Sequence, residues 1–128
     1  MTELSTIALA RVAEAMLRAL GGESVSLVFA VSGAGNELGL GAATSEEVAL
    51  APVVMRSLAP TDGRARRELL FAASAIAAQV ENRGSASAEA LFQSAVGVRH
   101  QGRLWRIESA TPEVFGGSAY LYRVVAVE

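Results

Sequence analysis

The segment "SAYLYRVVAVE" at residues 118–128 constrains the fold most, because it reads as one strand that is apolar on both faces. Side chains at even positions from 120 to 126 would lie on one face, and those at odd positions from 121 to 127 on the other. Apart from Arg123, both sets are apolar or aromatic. Such a strand is covered on two sides. We therefore predict that the domain's core covers one face and something else covers the other.

Two more strands precede this segment. "VGVRH" and "RLWRIES" both have strand character, and the pair Gln101-Gly102 between them is a turn signal. The segment "ATPEVFGG" at residues 110–117 is predicted to be the loop that leads into the last strand. The final third of the chain therefore predicts three consecutive strands.

The first half of the chain combines one helix with two strands. Apolar residues recur at helical spacing over residues 3–20, and Gly21-Gly22 supplies a stop. The apolar surface of this helix is wider than one stripe, which predicts packing on more than one side, in its own core or against another subunit. "SVSLVFAVS" and "EVALAPVVMRSL" read as strands, with Pro52 of the second at an edge or a bulge.

The middle of the chain is ambiguous between helix and strand. "APTDGRARR" at residues 59–67 is predicted to be a turn. The residues after it fit a helix, but we favour a strand over 67–73 that continues into a short helix near 74–82. Ser87 is a candidate N-cap for a further short helix.

These elements predict one α+β domain over residues 1–128, with an N-terminal helix at about 3–20 and a β-rich body at 24–128. The body is predicted to be an antiparallel β-sheet or small β-barrel of about six strands with short helical insertions. The chain has no cysteine, which excludes disulfides and thiolate metal sites. A net charge of −2 gives no basic field for nucleic acid or anionic membranes.

Neither a membrane span nor a signal peptide is expected. Charged residues such as Glu3 and Arg11 interrupt the N-terminal segment, and no uncharged apolar run reaches the roughly 18 residues that a span needs. We expect a cytoplasmic protein with no membrane partner.

The sequence offers little for catalysis. His100 is the only histidine and is interpreted as a surface residue beside a turn, while Asp62 is the only aspartate and lies in another turn. No carboxylate pair, nucleophile–base pair or metal-ligand spacing is present. The prediction is a protein that is not an enzyme, with no catalytic residues, no cofactor and no metal.

Two segments are candidates for partner contacts. The glycine-rich loop at residues 33–45 lacks the spacing of a dinucleotide fingerprint and instead has the length and composition of a binding loop. Its candidate contacts are Gly33, Gly35, Asn36, Gly39 and Gly41. The second candidate is the arginine cluster Arg64, Arg66 and Arg67, which could hold a phosphate or an acidic protein surface or could be a solvated turn.

Residues 96–128 resemble the C-terminal half of small tailed-phage neck proteins, the head–tail joining or head-completion proteins. The resemblance lies in a strand with an aromatic residue and an isoleucine, a loop, a Gly-Gly pair and a tyrosine in the closing strand. The residues in those places are Gly102, Trp105, Ile107, Gly116, Gly117 and Tyr122. The order of helix, strand, glycine-rich loop and closing strands also matches, whereas the alanine-rich middle departs from the pattern.

This resemblance implies a structural role with no catalytic residues. Its members join as homo-oligomeric rings between the portal or adaptor and the tail, with DNA only as the content of the channel. It implies assembly in the cytoplasm, residence in the virion if the phage is active, and a loop at 33–45 that orders on assembly. The alternative is a small cellular β-rich binding module that uses loop 33–45 and the three arginines to hold a protein or anionic partner.

Overall fold

The structure is a computed structural model that describes residues 2–31 and 44–128. Its helices are α1 (Thr2–Ala19), α2 (Ala73–Arg83) and α3 (Ala88–Ser94). Its strands are β1 (Glu23–Val31), β2 (Thr44–Thr61), β3 (Arg64–Ala72), β4 (Ala95–His100), β5 (Arg103–Phe115) and β6 (Ser118–Val127). The predicted α+β class with an antiparallel six-stranded body and an N-terminal helix is confirmed.

The strands form a closed barrel in the order β1-β2-β3-β6-β5-β4, and every neighbouring pair is antiparallel. β6 therefore has strand partners on both sides, β3 and β5, and is not an edge strand. Its inward face carries the buried Val124 and Ala126. Helix α1 packs on the outside of the barrel against β2, β3 and β6, with Ala13 and Leu17 buried. Helix α1 therefore covers the second face of β6, for which the sequence predicted a covering element.

The core fills the barrel and closes one of its ends. Inward-facing apolar residues alternate along the strands, as the strand period of two requires. They include Val25, Leu27 and Phe29 of β1, Leu69 and Phe71 of β3, and Val98 and Trp105 of β4 and β5. Ile76 of α2 with Leu91 and Phe92 of α3 seal the end where β3 and β6 meet these helices. The opposite end, at the turns 62–63 and 101–102, is called here the open end.

Local signals explain where the middle elements begin and end. The predicted change from strand to helix within residues 67–82 is confirmed, with the junction between Ala72 and Ala73. Helix α2 ends because Gly84 adopts φ +64°, and the Gly84 and Ser85 amides donate to carbonyls of the last turn. The Ser87 hydroxyl accepts a hydrogen bond from the Ala90 amide at 3.1 Å, which confirms the predicted N-cap.

Two predicted connections are wrong. Of the turn predicted over 59–67, only Asp62-Gly63 reverses the chain: β2 continues to Thr61, and β3 starts at Arg64. Residues 110–115 are not a loop either, because they pair with β6 as far as Phe115. Gly116 and Gly117, both at positive φ, make that reversal in two residues. Pro52 was predicted at an edge or a bulge, and it sits where the β1–β2 register shifts.

Candidate functional site: exposed apolar faces and the open end of the barrel

Helix α1 has a second apolar face that no described residue covers. Val12, Met16 and Leu20 follow one another at a spacing of four residues, so they form a stripe along one side of the helix. They are 53%, 57% and 65% exposed. We call these three residues the helix stripe. The wide apolar surface predicted for this helix is therefore divided between the barrel and solvent.

A second exposed apolar patch lies at the tip of the β5–β6 hairpin. Val114 and Phe115 are both more than half exposed beside the Gly116-Gly117 turn. The hairpin extends past the last β3–β6 pair, Ala72 with Leu121, so this tip lies at the end of the barrel that α2 and α3 close. We call Val114 and Phe115 the hairpin tip. Leu20 of the helix stripe lies near the other end, three residues before Glu23 of β1.

The three arginines of the sequence cluster do not form one surface. Arg66 faces outward, where its Nε and Nη2 donate to the two carboxylate oxygens of Glu108 at 3.2 and 3.0 Å. Arg67, the next residue, belongs to the inward-facing set with Leu69 and Phe71. Arg64 is exposed next to the Asp62-Gly63 turn. Arg66 and Arg67 therefore lie on opposite faces of the sheet, as strand alternation requires of neighbouring residues.

Arg67 lies over the ring of Trp105 at the open end. The Arg67 Cζ atom is 4.7 Å from the ring centroid, and that of Arg103 is 5.9 Å from it. Trp105 is only 2% exposed, and its indole N–H has no hydrogen-bond acceptor among the described residues. The guanidinium of Arg67 thus covers the last large apolar side chain before solvent.

His100 was predicted to be a surface residue beside a turn, and this is wrong: it is 8% exposed. The alternation of β4 continues to its last residue, so His100 faces the barrel interior on the same side as Val98. Its Nε2 atom is 3.4 Å from Oε1 of Glu23 on the neighbouring strand. The position of His100 beside a turn did not predict this burial, whereas the inward–outward alternation of residues along β4 does.

A cleft with a volume of about 180 Å³ opens beside these residues. It is lined by Glu23, Met55, Arg56, Ser57 and Arg67. Ser57 and Arg67 are directly paired across β2 and β3, so both project to the same side of the sheet. The cleft at the open end is therefore mainly polar, and Arg67 is the lining residue that also contacts Trp105.

No family model, curated protein or solved structure matches this chain. Within residues 2–31 and 44–128, no three or more histidine, aspartate or glutamate side chains come together as a metal site. No helix in the same ranges has the length and apolarity to cross a membrane.

The positions of the neck-protein resemblance fall on one hairpin and the turn before it. Gly102 is in the β4–β5 turn, Trp105 and Ile107 are on β5, and Tyr122 is on β6 after the two-glycine turn. The candidate contacts Gly33, Gly35, Asn36, Gly39 and Gly41 lie outside the described residues.

A groove lies between α3 and β5. β4 pairs with β5 only over Val98–His100. Among the described residues, β5 beyond Arg106 pairs with β6 on one side and with no strand on the other. Pro112 has no N–H to offer an incoming strand, a device that limits pairing at strand edges.

Tyr122 lies near this groove against Phe92, and burial raises the pKa of its phenol.

Sequence reasoning missed the stacking of Arg67 on Trp105. The sequence contained a signal for it, because residues 67, 69 and 71 alternate along one strand, so Arg67 faces the same side as Leu69 and Phe71. It was missed because Arg67 was grouped with Arg64 and Arg66 in the turn predicted over 59–67, although it is also the first residue of the strand predicted over 67–73.

Proposed function

We propose that the protein is a non-enzymatic structural subunit of a tailed-phage or prophage head–tail connector, where it joins the head or portal to the tail as a member of a homo-oligomeric ring. The observation that carries the proposal is the presence of two separate exposed apolar patches, the helix stripe and the hairpin tip. Exposed apolar clusters on a small domain are typical of interaction surfaces.

Two different patches are what a ring requires. In a head-to-tail interface, one surface of a subunit meets a different surface of the next, and the arrangement closes if the rotation is right. A two-fold dimer would use one patch twice. The helix stripe extends toward the open end of the barrel and the hairpin tip lies at the closed end, so a neighbour could contact each independently.

The resemblance of residues 96–128 to neck proteins supports the connector class in particular. Under this proposal, loop 33–45 contacts the portal, adaptor or tail, and DNA is only the content of the ring's channel. A net charge of −2 is compatible with a channel wall that does not bind DNA tightly. The protein would be made in the cytoplasm and would reside in the virion.

The interface is tested by light scattering coupled to size-exclusion chromatography and by negative-stain microscopy over rising protein concentration. We expect either single substitution, Met16→Glu or Phe115→Glu, to block self-association when that variant is studied by itself. Mixed together, they should form a heterodimer and stop there, since one helix stripe and one hairpin tip remain intact. Val96→Glu, at another exposed apolar position, is the matched control. Association that survives both single changes would contradict the use of these patches.

The connector class is tested separately by sequencing several kilobases on either side of the gene. Neighbours that encode a terminase, a portal, a capsid protein and tail components are expected. Unrelated metabolic or signalling neighbours would overturn the connector proposal and favour the second candidate, a cellular binding module. The observation in favour of that candidate is the half-buried Arg67, which has no ion-pair partner among the described residues.

A further inference from the structure

We infer that the open end of the barrel is a binding site for a carboxylate group, with Arg67, whose guanidinium lies over Trp105, as the anion receptor. This inference is independent of the proposed function, because it concerns the barrel interior and neither apolar patch. It starts from an imbalance of polarity along the inner wall. Most inward-facing residues are apolar, but four of those at the open end are polar, and Glu23 lies beside one of them, His100. The four are Ser57, Arg67, His100 and Arg103.

Arg67 differs from the other arginines of the described chain in its electrostatics. Seven of them form ion pairs with glutamates: Arg18, Arg56, Arg66, Arg83, Arg99, Arg103 and Arg123. Arg11, Arg64 and Arg106 form none with a described residue, but all three are exposed to solvent. Arg67 is partly buried and likewise forms no ion pair with a described residue. A desolvated guanidinium without a counter-ion is unfavourable, so an anion that binds there offsets the cost.

The orientation of the side chain leaves its best donors available. Contact with the Trp105 ring occupies one face of the guanidinium, whereas its five N–H donors lie in the plane of the fork and do not take part in that contact. That fork matches the two oxygens of a carboxylate, and such bidentate bonds are among the strong ones in proteins. The recess beside Arg67 is about 180 Å³, which holds a carboxylate and a short aliphatic stem.

A carboxylate is favoured over a phosphate by the charge at the rim. Glu23 lines the same cleft and lies 3.4 Å from His100. Arg56 also lines the cleft, but its Nε is paired with Glu68 at 2.7 Å. A single charge on the ligand is therefore balanced by Arg67, and a second would be repelled by Glu23. The carboxylate can belong to a small organic acid or to an acidic side chain of another protein molecule. The chemistry at Arg67 is the same for both sources.

Trp105 is the only tryptophan of the chain, so its fluorescence and its indole N–H resonance report on this site alone. The folded protein is titrated with sodium propionate, with sodium chloride at equal ionic strength as the reference. We expect a saturable change in Trp105 emission and a shift of its Nε1–H resonance with propionate but not with chloride. Inorganic phosphate at a pH where it is a dianion is expected to bind about tenfold more weakly.

Variants assign the effect to Arg67. Arg67→Gln removes the charge and is expected to weaken propionate binding about tenfold or more, while Arg64→Gln, an exposed neighbour, should bind as the unmodified protein does. If Arg67→Gln does not fold, Arg67→Lys keeps the charge without the fork and should still bind more weakly. A blocked tetraglutamate peptide that binds more tightly than propionate identifies an acidic protein segment as the source, and equal or weaker binding identifies a small acid. No saturable response to either probe, or the same response in the Arg67 variants, overturns the inference.

Discussion

The guanidinium carbon of Arg67 lies 4.7 Å from the centroid of the Trp105 ring, and this contact covers the apolar interior of the barrel at its open end. Trp105 projects from β5 and Arg67 from β3, with β6 between them. The pair therefore joins two strands that share no backbone hydrogen bonds. Arg66, one residue earlier, makes its contact with Glu108 on the outside of the same three strands. Two adjacent arginines thus fasten β5 to β3 from opposite faces.

The first prediction concerns the stability that this stack contributes. Replacing Arg67 with alanine removes the cation–π contact and exposes Trp105, and we expect the free energy of unfolding to fall by about 0.5–2 kcal/mol. The measurement is urea unfolding followed by the emission of the single tryptophan. Arg64→Ala is the matched control and should change stability by less than about 0.5 kcal/mol. Equal effects of the two substitutions would show that the stack contributes nothing.

The second prediction concerns the close approach of β4 to β5. A Cβ atom at Gly97 would lie 2.3 Å from the backbone oxygen of Trp105, so Gly97→Ala must displace one of the two strands. We expect a loss of about 1–3 kcal/mol, the usual cost of overpacking, and a change in the near-ultraviolet circular dichroism of Trp105. Gly63→Ala has open space but φ +74°, and it should cost about 1–2 kcal/mol without affecting that signal. A Gly97→Ala protein with unmodified stability and spectrum contradicts the prediction.

The elements that the sequence predicted well are those whose local signals and tertiary roles agree. The N-terminal helix, the Ser87 cap and the junction near residue 73 each have a capping residue, a stop or a change of period. The number of strands followed from the apolar alternation. Closure into a barrel was left open as an alternative to a sheet, since alternation is the same in both and only long-range pairing distinguishes them.

The interior of the open end could not be predicted, because polar residues at the ends of strands resemble turn residues. Arg67 lies four residues after the Asp62-Gly63 turn signal and His100 directly before Gln101-Gly102, yet strand alternation includes both residues and places them inward. Residues 110–115 were misassigned for a similar reason. Pro112 and Glu113 have low strand preference, but pairing with β6 outweighs it.

The third prediction concerns the pH dependence of stability. Burial disfavours the phenolate of Tyr122, so the pKa of this tyrosine is higher in the folded protein than in the unfolded chain. Its contribution to stability is complete below the unfolded pKa of about 10 and is lost as the pH rises through the folded pKa, because the unfolded state releases the proton first. A Tyr120→Phe variant isolates Tyr122, and its tyrosinate absorbance should rise at a pH above 10. The same titration of the urea-unfolded variant supplies the reference, and a folded-state midpoint no higher than that reference would refute the shift.

The fourth prediction concerns how α3 is attached to the barrel. Phe92 is 4% exposed, and its ring centroid lies 6.0 Å from that of Phe71 and 5.7 Å from that of Tyr122. Phe92→Ala removes the ring from the closed end of the core, and we expect the free energy of unfolding to fall by about 3–5 kcal/mol. Chemical denaturation followed by circular dichroism measures the change.

Phe115→Ala is the control for this substitution, because it deletes the same ring from a position that is 64% exposed. With little apolar area to lose, it should change stability by less than about 0.5 kcal/mol. Ser87→Ala, which removes only the N-cap of α3, should cost about 1 kcal/mol and so fall between the two. This order follows if the ring of Phe92, more than the cap, holds α3 over the barrel. If Phe92→Ala costs no more than Ser87→Ala, the helix is held by its own termini and the closed end does not depend on the aromatic cluster.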